Sequence, residues 1–192
     1  LDLANTKPFG FTKFEPGPGI GGHCIPIDPY YLYWKAKQSN IDAKFIKLAG
    51  ETNENTTNWV IKNFLKILNK EKLNSKKTKL LILGLSYKKN IEDTRESASK
   101  KIIKRLNDKL KKIDICEPYL KDKDSIITED YKFLNKFNVK NVKLTKATIK
   151  KYDVVLILSD HDIFNYDLVK RESNVLIDTR NRVERRDKFY KL

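Results

Sequence analysis

Cys24 and Asp28 stand four residues apart in EPGPGIGGHCIPIDPYYL (15–32), just behind a run, Gly17–Gly22, in which every residue but Ile20 is glycine or proline. Glycine lets a backbone approach a ligand closely and present bare N–H groups, and proline stiffens the path between them. A rigid loop that brings a thiol and a carboxylate to one spot is the layout of a covalent active site, built to accommodate a phosphate or a sugar. The helix expected to open at Pro29 adds its N-terminal dipole, which favours a thiolate. The competing reading of Cys24 as an inert small apolar residue fits this loop poorly. His23 is a possible base for the thiol, but side chains of adjacent residues usually point apart, so no dyad is expected. Cys116 closes an apolar run and reads as inert. The two cysteines and two histidines form no metal-ligand pattern.

Gly17, Gly19 and Gly22 also spell GxGxxG. A dinucleotide fingerprint needs an apolar strand before it and a helix opening from it. Here FTKFEP precedes and HCIPIDP follows, so the match is rejected, and no intact dinucleotide site is expected in the chain. Two further clusters carry charge suited to phosphate. Lys88, Lys89 and Arg95 lie in GLSYKKNIEDTRES (84–97), between the end of a strand and the start of a helix, where anions are favoured. Glu92, Asp93 and Glu96 offer pairing that would fix the Arg95 guanidinium. DTRNR (178–182) places Arg180 and Arg182 at another strand end. Two basic clusters on one rim point to a diphosphate.

The elements that must position these residues divide at the polar stretch KEKLNSKKT (70–78). Before it, Asp28 is expected to cap a helix with Pro29 at its first position and Asn40 at its stop. A long helix follows over 43–70, with Val60, Phe64, Ile67 and Leu68 on one stripe. After it, the pattern becomes strand (79–84), helix (97–112), strand (113–117), then the buried apolar runs 154–159 and 175–178. The expected fold is α/β: a partial helical central domain (1–74), then a small doubly wound parallel-sheet, Rossmann-like domain (75–192). Ligands of such sheets sit outside the strand C-termini. That rim holds 84–95, 117–119, 160–162 and 179–182.

Composition narrows the function classes. The 192 residues are 40% hydrophobic, enough for a folded core, and no apolar run reaches membrane-spanning length. No secretion signal opens the chain, so a reducing cytoplasm is the expected compartment. The chain holds no methionine and opens on Leu1, from which a piece of a longer protein is expected. The net charge of +15 comes from lysines scattered among Asn, Ile and Asp. This reads as solvated helix faces, not as a nucleic-acid groove, although the field would assist a polyanionic small molecule.

Together these stretches resemble the UDP-glucose/GDP-mannose dehydrogenase family over nearly the whole chain. EPGPGIGGHCIPIDPYYLYWKA resembles its catalytic loop, LAGETNENTTNWV its second central helix, and GLSYKKNIEDTRES the opening of its C-terminal nucleotide-binding domain. KPFGF (7–11) with GGHCIPIDP resembles the branch that oxidises UDP-N-acetylhexosamines. The resemblance implies a two-step, NAD-dependent oxidation of the sugar C6 alcohol to a uronate, used in surface-polysaccharide synthesis. In it Cys24 forms a thiohemiacetal and then a thioester, and Asp28 assists proton transfer or positions water. Gly17, Gly19, Gly21 and Gly22 offer backbone amides to the sugar. Tyr87, Lys88 and Arg180 hold the UDP, and Arg95 reaches the cofactor. The family's NAD-binding domain and half of its central domain, with the lysine and asparagine that stabilise the oxyanion, are not in this sequence. NAD would therefore be bound mainly elsewhere, the isolated chain would be inactive, and a homodimer through the central helices is implied. Two rivals remain. A non-catalytic UDP-sugar-binding module predicts that Cys24→Ser changes nothing, and a nucleic-acid-binding domain predicts steep salt dependence.

Overall fold

The computed structural model describes residues 1–120, 129–184 and 186–192. Five strands, β1 (Lys79–Leu83), β2 (Lys112–Cys116), β3 (Val154–Ile157), β4 (Val175–Asp178) and β5 (Phe189–Lys191), form one sheet. Their order is β2-β1-β3-β4-β5 and every pairing is parallel. The winding reverses between β1 and β3, and such a switch point is where open α/β sheets bind ligands. Four of the strands lie where the apolar runs place them. The fifth is an addition: it is three residues long and only Phe189 in it is buried, so no apolar run announces it.

Six α-helices are present among the described residues: α1 (Asp28–Gln38), α2 (Lys44–Lys70), α3 (Ala98–Leu106), α4 (Glu129–Lys136), α5 (Lys146–Ile149) and α6 (Tyr166–Glu172). α3 stops six residues short of the 97–112 span. Ser97, expected as its first residue, is instead its cap, accepting from the Ser99 N–H at 3.1 Å. Its end is set by β2, because Lys112 must return to pair with Lys79. Leu110, counted on the helical stripe, is buried from the turn instead. At α1, Asp28 is the first helical residue and Ile27 takes the cap position. Asn40 adopts φ 59° just past the helix, as a left-handed stop should.

Alternate residues of each strand feed opposite faces of the sheet. Leu80, Ile82 and Leu156 pack with α3 and α4, and Leu81, Leu83 and Ile157 pack with α5 and α6. The first layer also contains Val60, Phe64 and Leu68 of α2. The last three turns of the long helix therefore lie inside the sheet's own core, at about 1.5–3 kcal/mol for each large side chain buried. α1 buries none of its residues. It rests on α2 where Gly50 leaves room for the Tyr30 hydroxyl, since a Cβ there would stand 1.9 Å from it. Tyr31, Leu32 and Trp34 of α1, with Phe45 and Leu48 of α2, remain exposed. No helix among the described residues is long and apolar enough to cross a membrane.

Candidate active site

The Gly/Pro loop is bracketed by α2. Asn53 accepts the Ile20 N–H at 2.7 Å and donates to the Ile20 carbonyl at 3.4 Å. Thr57, one helical turn on, donates to the Pro18 carbonyl at 3.1 Å. The other side of the loop lies on the sheet's ligand edge. A Cβ on Gly21 would come within 2.5 Å of the Tyr87 Cβ and 2.9 Å of the Glu96 carbonyl, and one on Gly17 would fall 2.1 Å from a guanidinium nitrogen of Arg180. Gly22 sits at φ 95° against the Tyr87 ring and donates its N–H to the Arg95 carbonyl at 2.9 Å. The loop thus touches Tyr87, Arg95 and Arg180, three residues from two separate clusters in the sequence. The absence of side chains at Gly17, Gly21 and Gly22 is used for this approach, and the Gly22 amide is already engaged.

Beyond Gly22 the backbone bends before entering α1. The Cys24 carbonyl accepts from Ile27 N–H at 3.0 Å and Asp28 N–H at 2.8 Å, so the thiol-bearing residue sits one tight turn before the helix. His23 Nδ1 lies 2.9 Å from Cys24 Sγ, which corrects the expectation that these neighbours diverge. Successive side chains are forced apart in an extended strand, and the bends at 22–24 relax that constraint. Cys24 and Asp28 are both exposed. Cys116, by contrast, is buried, and burial pushes its thiol up to about 12. Brief treatment of the folded chain with iodoacetamide at pH 8 should therefore label Cys24 alone. Mass spectrometry should find both sites modified only after denaturation.

Arg95 folds back on Asp93, with Nε 3.0 Å from both carboxylate oxygens. This pairing holds the Asp93 carboxyl below the usual range. Arg180 lies across Asp160, Nε to Oδ1 at 3.1 Å. Arg182 bridges Asp160 and Asp162 and stacks over the Tyr166 ring at 5.0 Å. Lys88 projects into solvent from the turn after β1, its carbonyl accepting from Ser86 Oγ at 2.8 Å.

Residues 81–185 match the UDP-binding domain of the UDP-glucose/GDP-mannose dehydrogenase family, and residues 1–55 match its central domain. The chain belongs to this family. It is 34% identical over 192 residues to the UDP-N-acetyl-D-mannosamine dehydrogenase of Methanococcus maripaludis, which covers 96% of the chain and 40% of that protein. It is 29% identical over 164 residues to the UDP-N-acetyl-D-glucosamine 6-dehydrogenase of Salmonella typhi, covering 85% of the chain and 36% of that protein. Its fold superimposes on the solved UDP-D-ManNAc dehydrogenase of Pyrococcus horikoshii with a TM-score of 0.76 at 25% identity, covering 99% of the chain and 42% of that structure. The chain thus spans about 40% of the length of the curated relatives it matches most fully.

A dehydrogenase of this family needs a hydride acceptor, and the described residues do not fit a dinucleotide. Gly17–Gly22 runs through irregular backbone filled by Tyr87 and Arg180. At the β1 turn the single glycine, Gly84, is closed off by Ser159, 2.4 Å from where a Cβ would stand. Several structural partners of the candidate site are not singled out by the sequence. Asn53 and Thr57 read as ordinary polar helix positions, spaced i, i+4, and only the bracketed loop gives them meaning. Glu117, Asp160 and His161 fall at strand ends, where a ligand rim is expected, but nothing in their spacing shows that Glu117 bonds His161 across the rim or that Asp160 pairs with Arg180 and Arg182.

Proposed function

We propose that this chain is the C-terminal portion of an NAD-dependent UDP-N-acetylhexosamine 6-dehydrogenase, whose uronate product feeds surface-polysaccharide synthesis in the cytoplasm. The observation that carries this reading is the docking of the Cys24 loop onto the UDP-domain rim, through Gly17 on Arg180, Gly21 and Gly22 on Tyr87, and the Gly22 N–H on Arg95. Tyr87, Lys88 and Arg180 hold the UDP. Gly19 and the flanking loop backbone line the sugar, and Cys24 meets its C6. NAD would be held by the rest of the enzyme, with Arg95 within reach of its site, and would supply one hydride acceptor for each of the two oxidations. What this chain supplies is the sulfur. Cys24 adds to the C6 aldehyde, and after oxidation the acyl–sulfur bond is hydrolysed, returning the thiol and releasing the carboxylate. In this reading His23 takes the thiol proton, supported by its 2.9 Å approach to the sulfur, and Asp28 assists proton transfer or directs the hydrolytic water.

The chain divides, in this reading, into a catalytic-loop and helical part (1–74) and a UDP-binding part (75–192). The exposed apolar side chains of α1 and the first half of α2 form a homodimer face. Joined to the preceding part of the enzyme, the chain should yield two NADH per UDP-N-acetylhexosamine consumed, measured by absorbance against uronate determined chromatographically. A ratio of one, with aldehyde as the end product, would refute the thioester route.

A further inference from the structure

We propose that His161 is a positioning residue that fixes the Tyr87–Asn90 turn, and with it the placement of Lys88, over the switch point of the sheet. The idea rests on the UDP-site reading above for its consequence, but its geometry stands alone. His161 follows β3 and is fully buried, its ring set between Tyr119 at 4.9 Å and Phe164 at 5.3 Å. The Asn90 N–H donates to Nδ1 at 2.8 Å. Nδ1 therefore carries no proton, and the proton on Nε2 is donated to Glu117 Oε2 at 3.0 Å.

Glu117, also buried, gathers the other loops. Its Oε2 accepts the N–H groups of Leu85 at 2.7 Å and Ser86 at 3.0 Å, and its Oε1 accepts that of Tyr119 at 3.0 Å. One carboxylate and one imidazole thus tie together the loops that follow β1, β2 and β3. Asn90, at φ 61°, locks the far end of the turn by exchanging two hydrogen bonds with Asp162, at 2.6 and 2.9 Å. The backbone is held at Ser86, at the Lys88 carbonyl and at Asn90, while the Lys88 side chain is left exposed to solvent. An apolar residue at 161 would fill the same volume and leave the Asn90 N–H without a partner. A buried His–Glu pair is costly to maintain for packing alone, and its bonds here are spent on the shape of this turn.

The test titrates UDP into the 192-residue chain and follows amide exchange at Asn90. His161→Gln keeps an acceptor and a donor on one terminal group and should bind UDP within about threefold of the parent. His161→Leu should bind about tenfold more weakly, a change of about 1.4 kcal/mol, with protection lost at the Asn90 amide and retained in β1 and β3. If His161→Leu does not fold, His161→Phe, which keeps an aromatic ring between Tyr119 and Phe164 and likewise offers the Asn90 N–H no acceptor, takes its place and should weaken UDP about tenfold. Parental affinity in whichever of these two folds would overturn the proposal. If the parent chain takes up no UDP at all, the UDP-site reading fails. Asn90 exchange then decides the role of His161, with parental protection in His161→Leu, or in His161→Phe if that is the variant that folds, counting against it.

Discussion

Cys24→Ser in the assembled enzyme should stop the reaction after one hydride transfer, with uronate formation reduced at least about a thousandfold. Oxidation of the C6 alcohol to the aldehyde involves no bond to sulfur, so one NADH per sugar should still appear. The second oxidation requires a nucleophile that adds to the aldehyde and later departs. A serine hydroxyl holds its proton far more tightly than a thiol and leaves poorly as alkoxide. The measurement is the ratio of NADH to uronate in single-turnover mixtures, with Cys116→Ser as the control that keeps the parental ratio. Uronate formed at the parental rate by Cys24→Ser would remove the covalent route. His23 enters the same experiment, because its 2.9 Å approach to the sulfur predicts a slower second step, and an intact first step, when it is replaced by alanine.

Glu117→Ala should be the most destabilising single change at the ligand rim, costing about 3–5 kcal/mol in urea unfolding at pH 7. It strands the N–H groups of Leu85, Ser86 and Tyr119 and leaves His161 without its acceptor. Burial opposes ionisation of Glu117, but the His161 bond and the backbone donors outweigh it, and its carboxyl sits below the usual range. A depressed folded value fixes the direction of the pH dependence. The ionised carboxylate contributes fully above the unfolded value of about 4.3, and its contribution is lost as pH falls through the lower folded value. Glu117→Gln keeps an oxygen acceptor for the backbone and should cost less at pH 7. It should also lose less stability than the parent between pH 7 and pH 3. A cost for Glu117→Ala of under 1 kcal/mol would show that water replaces the carboxylate freely.

The sheet was legible wherever burial on both faces demands an unbroken apolar run, as in KLLIL and VVLI. β5 escaped because an edge strand of three residues carries no such run. The end of α3 was misplaced because Leu110 has the right spacing for a helix, while the chain obeys the return path to β2. In the site, Cys24 stood out through its glycines and prolines, which are local signals. The contacts that place the loop are not local. Asn53 and Thr57 reach it across 33 and 39 residues of sequence, and the Arg180–Gly17 approach spans most of the chain. The His23–Cys24 contact was missed for a different reason, because it depends on bends that residue types alone do not specify.

The burial of Phe64 and Leu68 in the sheet's core has a further consequence. The same helix that carries them holds the Cys24 loop through Asn53 and Thr57, so the loop and the sheet's ligand rim are tied to one element. That element acts as a ruler. The separation of the Cys24 loop from Tyr87 and Arg180 is set by the protein's own packing.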